Sequence, residues 1–242
     1  MIGEPRRINR PTIIAGLYGP VRNGYPLGQA KTLDEIPTSL DLNPRYSKEL
    51  VILAGDGQSA DDLRRFGLRA HRVFDDAPPA ICKDSLHLMK HWMILWAVRH
   101  FGEVLWVDWD TVCLRWPDEE FWDWCRRFDT PKFVWVPEYW ATVNCGVCYV
   151  NESWAETMER SFSATVSEPN DELLWRSVLP TDVRGRPEFW FGDRVAHVWT
   201  EHSFRRVTPR TSFVHIRDFS LAPRLRTAVG LDGDRPGHHH GN

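Results

Sequence analysis

The chain has 242 residues, of which 42% are hydrophobic and 26% charged, with a formal net charge of −3. That length suits one large α/β domain, or a domain with a small extension, and a sizeable core. A disulfide scaffold is excluded by five cysteines without disulfide spacing; a membrane span by the lack of any apolar run near 18 residues; and a protein built wholly around nucleic acid by the net charge.

In chain order, residues 12–16 form a β-rich run closed by a glycine turn, a first strand. The N-terminal ten residues are basic but lack the apolar segment of a signal peptide, so the expected compartment is the cytoplasm, without membrane insertion. Residues 19–48 are rich in Pro, Gly and Asn and predict an irregular segment with a short helix near 33–36. A second strand is predicted over 49–54, a short helix over 61–66 and a third strand over 70–74. Residues 84–101 contain neither Pro nor Gly, and Leu88, Trp92, Leu95 and Trp96 recur at helical spacing. Gly102 then ends the helix.

Residues 103–108 follow at once, and Val104 to Val107 are apolar without alternation, as in a central strand covered on both faces. Beyond lie a helix over 118–128 after Pro117, a strand over 132–137 and a strand over 143–151. Helices follow over 153–165 and 171–179, then a short late strand over 213–216. Residues 227–242 read as a frayed tail, leaving a domain over 1–226. Strands alternating with helices predict an α/β doubly wound, mostly parallel sheet flanked by helices.

The segment Asp108-Trp109-Asp110 carries the chemistry. Two carboxylates at i and i+2 of an extended strand share a face, and oxygen ligands at a strand end suit a hard divalent cation. This pattern predicts metal-assisted handling of a phosphorylated substrate. The segment from Arg205 to Arg226 holds six arginines against one acid, Asp218; it reads as a solvated basic face or as an anion-binding stretch. Cys145 and Cys148 form a lone C-x-x-C, read as two ordinary buried thiols rather than a zinc site. Most of the 13 tryptophans belong to packing, with a minority suited to stacking on an acceptor.

Four blocks in order resemble GT-A-fold, nucleotide-sugar glycosyltransferases, and among them the glycogenin-like, retaining group. They are Lys90-His-Trp with Val104 to Asp110, then Asn144-Cys-Gly146-Val, then Asn170-Asp171-Glu172, then Val214-His215-Ile. The resemblance spans roughly residues 12–220. It implies a Rossmann-like GT-A domain in which Asp108, Asp110 and His215 hold Mn²⁺ or Mg²⁺; a histidine in the set favours Mn²⁺. It also implies that Asp108, Lys90, Asn144 and Gly146 contact the donor, and that Asp171 or Glu172 serves the sugar or the acceptor. Tyr18 is a candidate to stack on the nucleotide base. The late lysine-proline motif of that group is missing, leaving Arg217 and Arg224 to meet the diphosphate. Glu172 stands where the group has Gln, which leaves the stereochemistry open.

The implied partners are a nucleotide-sugar donor, a UDP-sugar ahead of a GDP-sugar, and a hydroxyl acceptor. The acceptor is a saccharide, a glycan precursor or a protein, with a hydroxylated DNA base as the minority option. The alternatives are a sugar-nucleotide-forming nucleotidyltransferase and a non-catalytic nucleotide-sugar-binding module.

Overall fold

A computed structural model describes residues 11–17, 28–79, 82, 86–136, 143–163, 171–216, 218–228 and 230, leaving aside the side chains of 28–32, 34, 86, 87 and 171. Its strands are β1 (Thr12–Leu17), β2 (Val51–Ala54), β3 (Ala70–Arg72), β4 (Glu103–Val107), β5 (Thr111–Cys113), β6 (Lys132–Val134), β7 (Asn144–Asn151), β8 (Val195–Val198) and β9 (Phe213–Ile216). Its helices are α1 (Gly28–Leu42), α2 (Tyr46–Glu49), α3 (Gly57–Arg65), α4 (Leu86–Phe101), α5 (Glu119–Arg126), α6 (Ala155–Ser161), α7 (Asp171–Val178) and α8 (Ala222–Ala228).

Six strands form one sheet in the order β3-β2-β1-β4-β7-β6. The pairings of β3, β2, β1 and β4 are parallel, and β7 runs antiparallel to both its neighbours. The predicted central strand is therefore central: β4 lies between β1 and β7. Its residues alternate between two cores. Val104 and Trp106 pack with α4, while Leu105 and Val107 pack on the opposite face with Tyr149 and Phe191. All four are essentially buried, each worth roughly 1.5–3 kcal/mol of apolar burial.

Helix α4 is buried from Leu88 to Val98, because the sheet covers one side and α6 and α7 the other. Gly102 ends it as expected: its φ of 81° is left-handed, and its N–H donates to the Val98 carbonyl at 2.8 Å. Among the described residues, no helix is long and apolar enough to cross a membrane.

Several elements differ from the sequence reading. The segment around residues 33–36 is a 15-residue helix, α1, which continues through Pro37; tertiary burial of Ile36 and Ser39 overrides the proline's local cost. Helix α3 begins at Gly57, before the predicted 61, because the Asp56 side chain caps it by accepting from Ser59 N–H at 2.7 Å. The strand predicted over 70–74 stops at Arg72 and turns into a 3-10 segment. Helix α8 continues to Ala228; residues 229 and 231–242 lie outside the described residues. A second sheet, β5-β9-β8, was not foreseen. Its core joins Val112, Val198, Val214 and Ile216 to Leu225 of α8.

Candidate functional site

The sequence reading placed Asp108 and Asp110 on one face of a strand. In the structure β4 stops at Val107, and a turn brings the carboxylates together instead. Thr111 N–H donates back to the Asp108 carbonyl at 3.1 Å. Trp109, between them, turns into the core and donates from Nε1 to the Gly16 carbonyl at 3.0 Å. The chain then enters β5, where Thr111 pairs with His215 of β9, and Ile216 N–H donates to the Asp110 carbonyl at 2.9 Å. Ligand atoms of Asp108, Asp110 and His215 thereby lie within 4.8 Å of one another. No other group of three or more His, Cys, Asp or Glu residues among the described residues could hold a metal ion. Cys145 and Cys148 are buried and form no disulfide.

Asp108 is held from several directions. Lys90, 4% exposed at its side chain, reaches Asp108 Oδ1 at 2.9 Å and Oδ2 at 3.0 Å. Trp106 Nε1 donates to Oδ1 at 2.6 Å. Asp108 N–H donates to the Gly146 carbonyl at 2.7 Å. Burial raises the Asp108 pKa, and the Asp110 charge adds to this; Lys90, His215 and the Trp106 hydrogen bond oppose it without cancelling it. His215 Nε2 lies 3.0 Å from Asp110 Oδ1. Burial pulls the His215 pKa down, but the charge and hydrogen bond of Asp110, with the charge of Asp108, leave it raised.

Asn144 and Gly146 open β7 beside this group. The Asn144 amide donates to Glu172 Oε1 at 3.3 Å, and its oxygen accepts from Gly146 N–H at 3.1 Å. The β6/β7 register shifts here, between Phe133 and Val134. A Cβ on Gly146 would lie 2.5 Å from His215 Nδ1 and 2.6 Å from Nε2, so the ring occupies the space the glycine leaves. The structure thus brings together Lys90, Asp108, Asp110, Asn144, Gly146, Glu172 and His215. Tyr18 and Arg217, and the side chain of Asp171, lie outside the described residues. Within the arginine stretch, Arg205 and Arg210 are exposed, Arg224 pairs with Glu201, and Arg226 donates to the Leu42 carbonyl.

Three residues of this site were missed in the sequence. His197 of β8 is the register partner of His215; its apolar flanks in Val195–Val198 mirror those of His215 and were its one sequence signal. Asn43 bridges α1 to β5, with Nδ2 donating to the Thr111 carbonyl at 3.0 Å and Oδ1 accepting from Cys113 N–H at 2.7 Å. Tyr46 donates to the same Thr111 carbonyl at 3.2 Å. Burial first, then the Cys113 and Asp110 charges, raises its pKa well above the usual value, so it stays a donor. No sequence pattern marked Asn43 or Tyr46.

The donor set fits a divalent cation. Ligands of an octahedral cation at about 2.1 Å stand about 3 Å apart, as Asp110 Oδ1 and His215 Nε2 already do. No protein-family model and no curated protein matches the sequence. Among solved structures, the chain is similar to mouse xyloside xylosyltransferase 1, with a TM-score of 0.50 and 10% identity over 85% of this chain and 97% of that one. It is also similar to a glycosyltransferase involved in the glycosylation of the major capsid of PBCV-1 (TM-score 0.48, 16% identity, 89% and 97% covered). The galactosyltransferase LgtC, in complex with donor and acceptor sugar analogs, follows (0.43, 13%, 93% and 97%). The likeness to the mouse structure defines the fold: the six-stranded, mostly parallel sheet with its flanking helices is a GT-A glycosyltransferase fold.

Proposed function

We propose that the protein is a divalent-metal-dependent glycosyltransferase that moves a sugar from a nucleotide-sugar donor, a UDP-sugar first, to a hydroxyl acceptor. One observation carries this reading. Two carboxylates and an imidazole converge within 4.8 Å, where β4 leaves the sheet, and the carboxyl ends of such strands are where ligands bind. The motif order further supports the glycogenin-like, retaining group.

Asp108, Asp110 and His215 would hold Mn²⁺ or Mg²⁺, with the imidazole favouring Mn²⁺. When bound, the cation supplies Lewis-acid neutralisation of the departing diphosphate. Lys90 and Trp106 fix the Asp108 carboxylate, so Lys90 serves the donor through Asp108. Asn144 holds Glu172, whose carboxylate can bond sugar hydroxyls or take the proton of the acceptor hydroxyl. Asp171 belongs with it at the start of α7. Tyr18 toward the base and Arg217 toward the diphosphate complete the proposed donor site.

A saccharide or protein hydroxyl is favoured over a DNA base for an electrostatic reason. The chain as a whole carries a formal net charge of −3, which disfavours a polyanionic acceptor. Arg224 and Arg226, meanwhile, are engaged within the protein.

The test is nucleotide release from a panel of UDP-, GDP- and other nucleotide sugars with Mn²⁺, for the wild type and Asp110→Ala. The expected result is metal-dependent release from at least one donor, falling by about 100-fold or more in the variant while the variant melts as a folded protein. Undiminished release in Asp110→Ala, or none from the wild type with any donor, would overturn the reading.

A further inference from the structure

The small sheet places a second imidazole directly behind His215. His197 and His215 face each other in register on the parallel strands β8 and β9. Their Nδ1 atoms are 2.9 Å apart, and the residues are only 3% and 9% exposed. Two Nδ1 atoms at that distance share one proton: one nitrogen donates it and the other accepts it.

The far side of His215 decides which. Its Nε2 faces Asp110 Oδ1 at 3.0 Å and is the nitrogen turned into the metal-ligating group. A neutral imidazole that gives its Nε2 lone pair to a cation carries its proton on Nδ1. With a cation on Nε2, His215 Nδ1 would donate and His197 Nδ1 would accept, which would put the His197 proton on Nε2. His197 does not belong to the ligand group formed by Asp108, Asp110 and His215, so it acts through His215. The ring is gripped from both sides, because Gly146 lies against it where a side chain would not fit.

We propose that His197 is a positioning residue for the metal site: it accepts the Nδ1 proton of His215 and so holds the tautomer and ring orientation that aim Nε2 at the cation. This rests on the proposed metal-dependent reading. Carboxylates, carbonyls and waters usually take this place behind a ligating histidine. A neutral imidazole does the same without adding charge. With Lys90 on Asp108, the two carboxylates and a divalent cation together would carry one positive charge, which a third carboxylate would cancel before the diphosphate arrives.

The experiment is Mn²⁺ binding without donor, followed by the electron paramagnetic resonance signal of the free ion, for the wild type, His197→Phe and His197→Asn. Phe fills the volume without an acceptor, whereas Asn offers an amide oxygen near the lost Nδ1. His197→Phe is expected to weaken Mn²⁺ binding by about 10- to 100-fold, and His197→Asn to restore most of it, with the two metal-free variants melting close together. Affinity in His197→Phe within about twofold of wild type, or equal losses in both variants, would overturn the proposal while leaving the metal site intact. A wild type that binds no Mn²⁺ would instead overturn the metal reading and this inference with it. Should His197→Phe fail to fold, nitrogen NMR of the Mg²⁺-loaded wild type decides. His215 is expected to carry its proton on Nδ1 and His197 on Nε2, and the reverse assignment would overturn the proposal.

Discussion

Gly146 positions His215, the proposed metal ligand, through an atom it lacks. An alanine Cβ there would press on both nitrogens of the His215 ring, and the ring cannot retreat because His197 stands behind it. Gly146→Ala is therefore expected to weaken Mn²⁺ affinity by about tenfold or more while shifting the melting midpoint by only a few degrees. Titration with Mn²⁺ beside a thermal melt checks both, and unchanged affinity would show that the ring has room to move. The carboxylate pair Asp108 and Asp110 was legible from residue type and order, whereas His215 was marked only by the resemblance of Val214-His215-Ile to a family motif. The contact between Gly146 and His215 was not, since a glycine carries no signal of what fills its empty side. Lys90 shows the same limit: its charge was visible, but not that a buried helix face aims it at Asp108.

Among the elements, the Asp108–Asp110 turn depends on a helix read only in part. Asn43 at the end of α1 donates to the Ser39 and Thr111 carbonyls and accepts from Cys113 N–H, so it splints β5 just beyond the Asp108 and Asp110 carboxylates. Asn43→Ala leaves Cys113 N–H without its acceptor in a half-buried place. The expected cost is about 2–4 kcal/mol of stability, read by urea unfolding, with a larger proportional loss of Mn²⁺ affinity than in a matched destabilised core variant. Equal losses in the two would reduce Asn43 to a simple structural residue. The long elements were readable because their patterns repeat. Helix α4 and strand β4 span enough residues for apolar spacing to identify them, and Asp118 before α5 behaves as a helix cap, accepting from Phe121 N–H at 3.0 Å. Strands β5 and β8 have three and four residues, too few for alternation to rise above chance, and they exist because β9 lies between them.

At the scale of the molecule, the site lies where the chain leaves one sheet and enters the other: Asp108 follows β4 of the large sheet, and Asp110 leads into β5 of the small one. Global stability carries its own pH signature from the large sheet's edge. Lys132 of β6 is wholly buried, with Nζ donating to the Thr130 carbonyl and hydroxyl at 2.8 Å each. Burial pushes its pKa down from 10.5 to about 8. Between those values the unfolded chain holds a proton that the folded protein has released, so the Lys132 contribution to stability rises with pH across that window. Cys82 and Cys113, pushed up from 9.0 to about 12 by burial, act oppositely: their unfolded thiols ionise first. The difference between wild type and Lys132→Met therefore isolates the lysine. The variant's advantage is expected to be largest below about pH 8, at about 3 kcal/mol, and to shrink toward pH 10.5; a difference flat across that range would refute the assignment. By itself, the sequence determined the α/β class, the central strand and the Asp108–Asp110 carboxylate pair, because periodicity, capping and residue chemistry are local properties of the chain. Only the tertiary structure decided that a turn, not strand alternation, brings Asp108 and Asp110 together. It alone revealed the small sheet carrying His215, the support of Gly146, His197 and Asn43, and the Lys90 grip on Asp108. Each of these is a contact between segments far apart in the chain, fixed by packing rather than by neighbouring residues.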